Sequence, residues 1–388
     1  MHRILRSFVI ISLILALAVS LPGCYFGETQ PHYSIKEDGS AVLIGRVPVG
    51  SYKAEYTPPT YDSTEIRYGR NALAELENGE NLVEAYDRIY SSADSDKVAV
   101  DLQELNLTKE QLDTVWCAYQ GDSPEHFAVD RNFNYSYQEE TTVISMALSY
   151  VTDLQDKQEV FDQAVESYLQ QVTDVTEPAE IALRLHDLLA ADITYTEDTV
   201  APYAHTAYGA LVEHQAVCDG YSKAYQLLLG RMGISSVVIG GEGQEEPHAW
   251  NAVELPLGWV YTDLTWDDAD PNLYHCYYGL TTEQISEDHT ADELGYPIPL
   301  ATTTAYYGIP VSRQMDALQL DDIIALLRQG KDGKTAACQF RYAGEEDVDQ
   351  FLEKNFQKIA KGLSFYGTIT WTSQNLNHEY ILTYTVEK

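Results

Sequence analysis

The chain has 388 residues, enough for two or three domains of ordinary size, and 45% of them are hydrophobic and 11% aromatic, which excludes wholesale disorder. Its 24 Lys and Arg stand against 60 Asp and Glu, a formal charge of −36, with no basic stripe, which excludes nucleic acid as a partner. The plain meaning of so acidic a surface is solubility, with some preference for basic substrates.

At the start, His2, Arg3 and Arg6 form a basic head and Phe8 to Val19 an apolar run. That run is shorter than the roughly 20 apolar residues of a membrane span, so residues 1–23 read as a signal peptide. Leu21-Pro22-Gly23-Cys24 resembles the lipobox of bacterial lipoproteins, which implies cleavage before Cys24 and a lipid on its sulfur. Cleavage there removes Arg3 and Arg6 and no acid, so the charge becomes −38. The mature protein is then expected to be extracytoplasmic, and because its acidic body is repelled by an anionic membrane, the lipid must do the tethering.

Residues 24–64, rich in Gly, Pro, Ser, Thr and Tyr, read as a tether with a short strand at Ala41 to Val47. Helical periodicity follows near 66–92, 108–120, 155–171 and 178–190, while Val143 to Val151 fits strand or helix. Ala207 to Glu213 reads as a short helix and Asp219 to Arg231 as a stronger one. Strands are expected at Ser235 to Ile239, His248 to Leu255 and Trp259 to Leu264, giving an α+β arrangement over 65–300. Residues 301–388 read as a small accessory α+β domain. Its expected helices are Leu318 to Gln329 and Glu346 to Ala360, and its strands Thr335 to Tyr342, Ser364 to Thr372 and His378 to Val386.

The chemistry concentrates in the middle. Cys218 precedes a helix, where unpaired N–H groups and the helix dipole favour thiolate over thiol and can hold an oxyanion. His248 begins a strand after the Gly240 to Pro247 loop and can serve as the base. If the hairpin turns at Pro256-Leu257, Leu255 faces Gly258 and Trp250 faces Asp263. His248 and Asp263 then lie diagonally on one sheet face, roughly 7 Å apart at Cβ and close enough for a carboxylate to fix the ring. Aspartate inside an aromatic strand is disfavoured without such a partner.

The segments Gln215-Ala216-Val217-Cys218-Asp219-Gly220-Tyr221-Ser222, His248-Ala249-Trp250-Asn251 and Tyr261-Thr262-Asp263-Leu264-Thr265-Trp266-Asp267 together resemble the bacterial transglutaminase-like superfamily. Weaker likeness reaches Leu185-His186-Asp187, His205 to Leu211, and His275-Cys276 with Asp288-His289, so 180–290 is covered. The resemblance implies a papain-like core with Cys218 as nucleophile, His248 as base and acid, and Asp263 as orienting carboxylate. It implies attack on protein or peptide amides, cell-wall peptides among them, through a thioester. Gln215 is the side-chain candidate for the oxyanion, and Tyr221, Trp250 and Trp266 for the cleft wall. The alternative is a binding or scaffold protein on the same fold.

Other signals are set aside. The acids Asp263, Asp267, Asp268 and Asp270 lack an EF-hand pattern and read as a solvated turn. His275 and Cys276 with Cys218 lack zinc-ligand spacing, so neither metal nor cofactor is expected. Cys117, Cys276 and Cys338 are widely spaced, and no disulfide scaffold is implied. His205, His214 and His289 read as structural or rim residues.

Overall fold

A computed structural model describes residues 29–35, 41–48 and 66–386, apart from 96, 139–141, 151–154, 270–271, 274, 307–311, 316, 330, 343 and 377–378. The expected signal peptide, Cys24 and most of the expected tether lie outside the described residues. The expected strand at 41–47 is β2 (Ala41–Pro48), paired antiparallel with β1 (Thr29–Ile35).

The stretch expected as one helix from 66 to 92 is two, α1 (Tyr68–Ala74) and α2 (Gly79–Asp94). The break falls where Asn78 adopts a left-handed φ of 66°, a conformation Asn tolerates through its short polar side chain. In α2, Leu82, Ala85, Tyr86, Ile89 and Ala93 are buried at helical spacing. A capping box between Thr108 and Gln111 starts α3 (Lys109–Asp122). These helices share a core with a sheet of β3 (Ala99–Asp101), β4 (Asn134–Gln138) and β5 (Thr142–Ala147), in spatial order β3-β5-β4. Helical periodicity therefore does not dominate this region as expected, and strands this short and polar leave little alternation to read.

The middle of the chain supplies α4 (Gln155–Gln170), α5 (Pro178–Asp192) and α6 (Cys218–Arg231). The 207–213 segment is a single wide π-helical turn at Gly209–Glu213. The main sheet is antiparallel. It comprises β6 (Ser236–Gly243), β7 (Glu246–Leu255), β8 (Gly258–Thr262), β9 (Tyr278–Leu280) and β10 (His289–Ala291), in the order β9-β8-β7-β6-β10. Side-chain alternation separates two cores. Val253, Leu255 and Val260 pack with α5 and α6, whereas Val237, Ile239, Trp250, Ala252 and Tyr261 pack on the opposite face. The fold is α+β.

Two boundaries differ from expectation. Strands β6 and β7 run through the expected loop at 240–247 and turn tightly at Gln244 and Glu245, both at positive φ. Strand β8 ends at Thr262, and Asp263 starts α7 (Leu264–Asp267) instead of lying inside a strand. Helix α8 (Thr282–Ile285) follows.

The C-terminal unit has β11 (Ser312–Gln314), α9 (Leu320–Gln329), β12 (Thr335–Arg341), α10 (Val348–Gly362), β13 (Ile369–Leu376) and β14 (Glu379–Val386). Its sheet order is β11-β12-β14-β13. Ile381 joins the core behind the main sheet, and Gln339 Nε2 lies 3.7 Å from Cys276 Sγ, so the unit packs on the segment just before β9.

Candidate active site

Cys218 is the first residue of α6, behind an extended Val217 that offers no side-chain cap. Gly220 N and Tyr221 N already donate to Val217 O at 2.9 and 3.1 Å, so the N–H groups of Cys218 and Asp219 are the ones without an acceptor inside the helix, as an anion at a helix start requires. The start is fixed from two sides. Val217 N donates to Ala204 O at 2.9 Å, and a Cβ on Gly220 would stand only 2.6 Å from that same oxygen. Glycine is required for this approach. On the other side, Asn251 Nδ2 donates to Ser222 O at 3.0 Å and Ser222 Oγ to Cys218 O at 2.9 Å, tying β7 to the first turn.

Asp219 faces a set of bases. Its carboxylate accepts from His205 Nδ1 at 2.7 Å and from Lys223 Nζ at 3.4 Å, and it pairs with Arg131. Burial works to raise its pKa, but Lys223, His205 and Arg131 outweigh burial and hold it below the ordinary value. His214 is exposed and pairs with Asp192 at 3.0 Å.

The register of the hairpin is the one counted from the numbering, with Gly258 opposite Leu255 and Thr262 opposite Asn251. His248 Nε2 lies 2.7 Å from Asp263 Oδ2. Because Nε2 is engaged, Nδ1 is the ring nitrogen left to face the Cys218 side chain, whose charge acts on the His248 ring. Burial lowers the affinity of His248 for a proton, yet the Asp263 carboxylate and Cys218 outweigh it and push the pKa up to about 10. The ring stacks on Trp266 with centroids 4.9 Å apart, and a Cβ on Gly243 would strike both rings.

Asp263 is fully buried and its oxygens are shared out. Oδ1 accepts from Thr265 N at 3.0 Å and Trp266 N at 3.2 Å, capping α7. Oδ2 accepts from His248 and, at 3.2 Å, from His289 Nε2. Burial raises its pKa, and His248 and His289 reverse the effect, so the carboxyl sits below its usual range.

A second buried group lies beneath α7. His186 Nδ1 and His275 Nε2 approach Asp187 Oδ1 at 3.0 and 2.7 Å, and His186 Nε2 is 3.3 Å from Asp267 Oδ2. Burial depresses His186, but its two carboxylate neighbours push its pKa up to about 9. Asp267 also accepts Tyr277 N at 2.9 Å, and Asp268 accepts the Tyr221 hydroxyl at 2.8 Å. The acids after Asp263 are thus structural acceptors, contrary to the solvated turn expected, while Asp270 lies outside the described residues. Both His186/Asp187/His275 and His248/Asp263/His289 bring three ligand-type atoms within 4.8 Å. Hydrogen bonds inside each group already use the facing atoms.

Several expectations for side chains need correction. Tyr221 and Trp250 are 0% and 1% exposed and belong to the core, Tyr221 on the buried side of α6 and Trp250 on the inner sheet face, so neither walls a cleft. Trp266 is partly exposed against His248. Gln215 is exposed on a two-residue strand paired with Thr194. His289 was read as structural or rim, yet it reaches Asp263; the Asp288-His289 pair was the available signal.

Residues 166–264 match the model of the transglutaminase-like superfamily. No curated protein matches the chain. Among solved structures, this chain is similar to one described as a TGase, at 14% identity over 35% of this chain and 44% of that one, with TM-score 0.26. A putative cysteine protease from Cytophaga hutchinsonii shares 12% identity over 34% and 61% of the two chains, TM-score 0.24. The periplasmic domain of TgpA from Pseudomonas aeruginosa shares 16% over 38% and 60%, TM-score 0.24. The chain thus spans between 44% and 61% of the length of these chains. The likeness rests on the sequence match, which places a transglutaminase-like core at residues 166–264 of this chain.

Proposed function

We propose that the protein is an exported, lipid-anchored cysteine enzyme that attacks protein or peptide amides through Cys218, His248 and Asp263. The observation that carries this reading is the buried 2.7 Å contact of His248 with Asp263, with Cys218 near enough to act on the same imidazole. In the mechanism, the Cys218 thiolate adds to the amide carbonyl carbon. The resulting oxyanion is held by N–H groups at the start of α6, with Gln215 as a candidate side-chain donor. The intermediate collapses to a thioester as the C–N bond breaks and His248 gives its Nδ1 proton to the leaving amine. His248 then takes a proton from the incoming water or amine, which displaces the thiolate. Asp263 holds the ring with Nδ1 toward sulfur and stabilises its charged form.

The test is incubation of the purified protein with a peptide library, including cell-wall peptides, and a primary-amine probe, with Cys218→Ala as control. Cleaved peptides indicate hydrolysis and amine-labelled glutamines indicate acyl transfer. Absence of both products overturns the reading in favour of a scaffold, and activity that survives in Cys218→Ala overturns Cys218 as the nucleophile. The anchor rests on the sequence around Cys24, and Cys24→Ser should move the protein from the detergent phase to the aqueous phase on phase partitioning.

A further inference from the structure

His289 is wholly buried, with a carboxylate at each ring nitrogen. Nδ1 lies 2.6 Å from Asp288 Oδ1 and Nε2 lies 3.2 Å from Asp263 Oδ2, the same oxygen that His248 uses. Two carboxylate acceptors require two N–H donors, and a neutral imidazole has only one. Asp288 is itself steadied by the Tyr277 hydroxyl at 2.7 Å. The titratable groups facing His289 are Asp263 at the start of α7, Asp288 beside it, His248 on β7 and Tyr277 before β9, and the rings of Trp250 and Trp266 complete the enclosure.

We propose that His289, held as an imidazolium by Asp288, is a positioning residue for the reaction at Cys218, fixing and keeping ionised the carboxylate that orients His248. This rests on the functional reading above. An ionised carboxylate shut away from water needs compensating donors and charge. Oδ2 of Asp263 receives one imidazole that works and a second that does not touch the thiol. Burial opposes the charge on His289, and its two carboxylates outweigh burial and raise its pKa.

The sign of the expected effect separates charge from mere support. Removing a fixed positive charge makes every neighbouring proton harder to lose. Both steps of the pH profile for Cys218 alkylation then move upward together. Loss of geometry alone would instead separate the thiol from the imidazole, raising the acid step and lowering the alkaline one.

The test is iodoacetamide labelling across pH, read at the Cys218 peptide by mass spectrometry because Cys117 is also exposed. In His289→Gln, which keeps an N–H for Asp263 without charge, both steps should rise by about one pH unit, slowing labelling on the acid side about tenfold. Asp288→Asn, at a partly exposed side chain, should follow the native profile at low pH and the His289→Gln profile at high pH, where His289 loses its proton. It carries the test if His289→Gln does not fold. Steps that stay in place, or that converge, overturn the inference while native Cys218 remains activated. A native profile like that of an ordinary thiol near pH 8.5 overturns the functional reading and this one with it.

Discussion

At the residue scale Asp263 does two things that substitution can separate. Its Oδ1 caps α7 while its Oδ2 serves the imidazoles. Asparagine caps a helix about as well as aspartate but presents an amide N–H₂ where the ring nitrogens need an acceptor. His248 would then turn its proton toward the thiol. Asp263→Asn should lower turnover about 10³- to 10⁴-fold. Asp263→Ala should be equally inactive and also less stable than Asp263→Asn by about 1 kcal/mol on urea unfolding, because the cap is gone. Equal stabilities would mean that the cap contributes nothing. The His248–Asp263 pairing was legible because hairpin parity can be counted along the chain. The capping role was not, since a four-residue helix leaves no periodicity. His289 was hidden for another reason. It meets the site only through the pairing of β10 with β6, and no local pattern fixes that register.

At the scale of elements, the site is a set of junctions. The His186–Asp187–Asp267–His275 group joins α5, α7 and the segment before β9. His186 has its folded pKa raised to about 9 from an ordinary 6.5, so it contributes stability below pH 6.5 that is lost as pH rises through 9. Asp187 is lowered to about 2; burial alone would raise it, but His275 and His186 outweigh burial. Its contribution is present above pH 4 and lost toward 2. His186→Gln should therefore flatten the decline of Tm between pH 6.5 and 9, while a decline of native steepness would argue against the network. Gly220→Ala tests a different junction, forcing α6 off the Ala204 carbonyl. It should cost about 1–3 kcal/mol and slow Cys218 labelling, whereas wild-type labelling would show that the approach is dispensable. Helices α3 to α6 were legible because their apolar residues recur at helical spacing. The sheet of β3, β4 and β5 was not, and the break at Asn78-Gly79 was written in residues that favour turns but was missed inside a longer apolar pattern.

At the scale of the whole molecule, the order of elements after residue 300 was legible, but their contact with the core was not. Gln339 and Ile381 meet Cys276 and the inner sheet face only in three dimensions. Charge acts over the same distances. With 60 acids against 24 bases, most surface carboxylates have no cation to pair with, and the compact state gathers them closer than the unfolded chain does. The buried ion pairs are shielded from salt by the protein around them, whereas exposed repulsion is screened over about 10 Å at 0.1 M ionic strength. Repulsion should therefore dominate the salt response. Tm should rise by several degrees between about 10 mM and 200 mM sodium chloride at pH 7, most steeply at the low end. A fall over that range would mean that attractive surface pairs such as Lys109 with Asp113 outweigh the excess of negative charge.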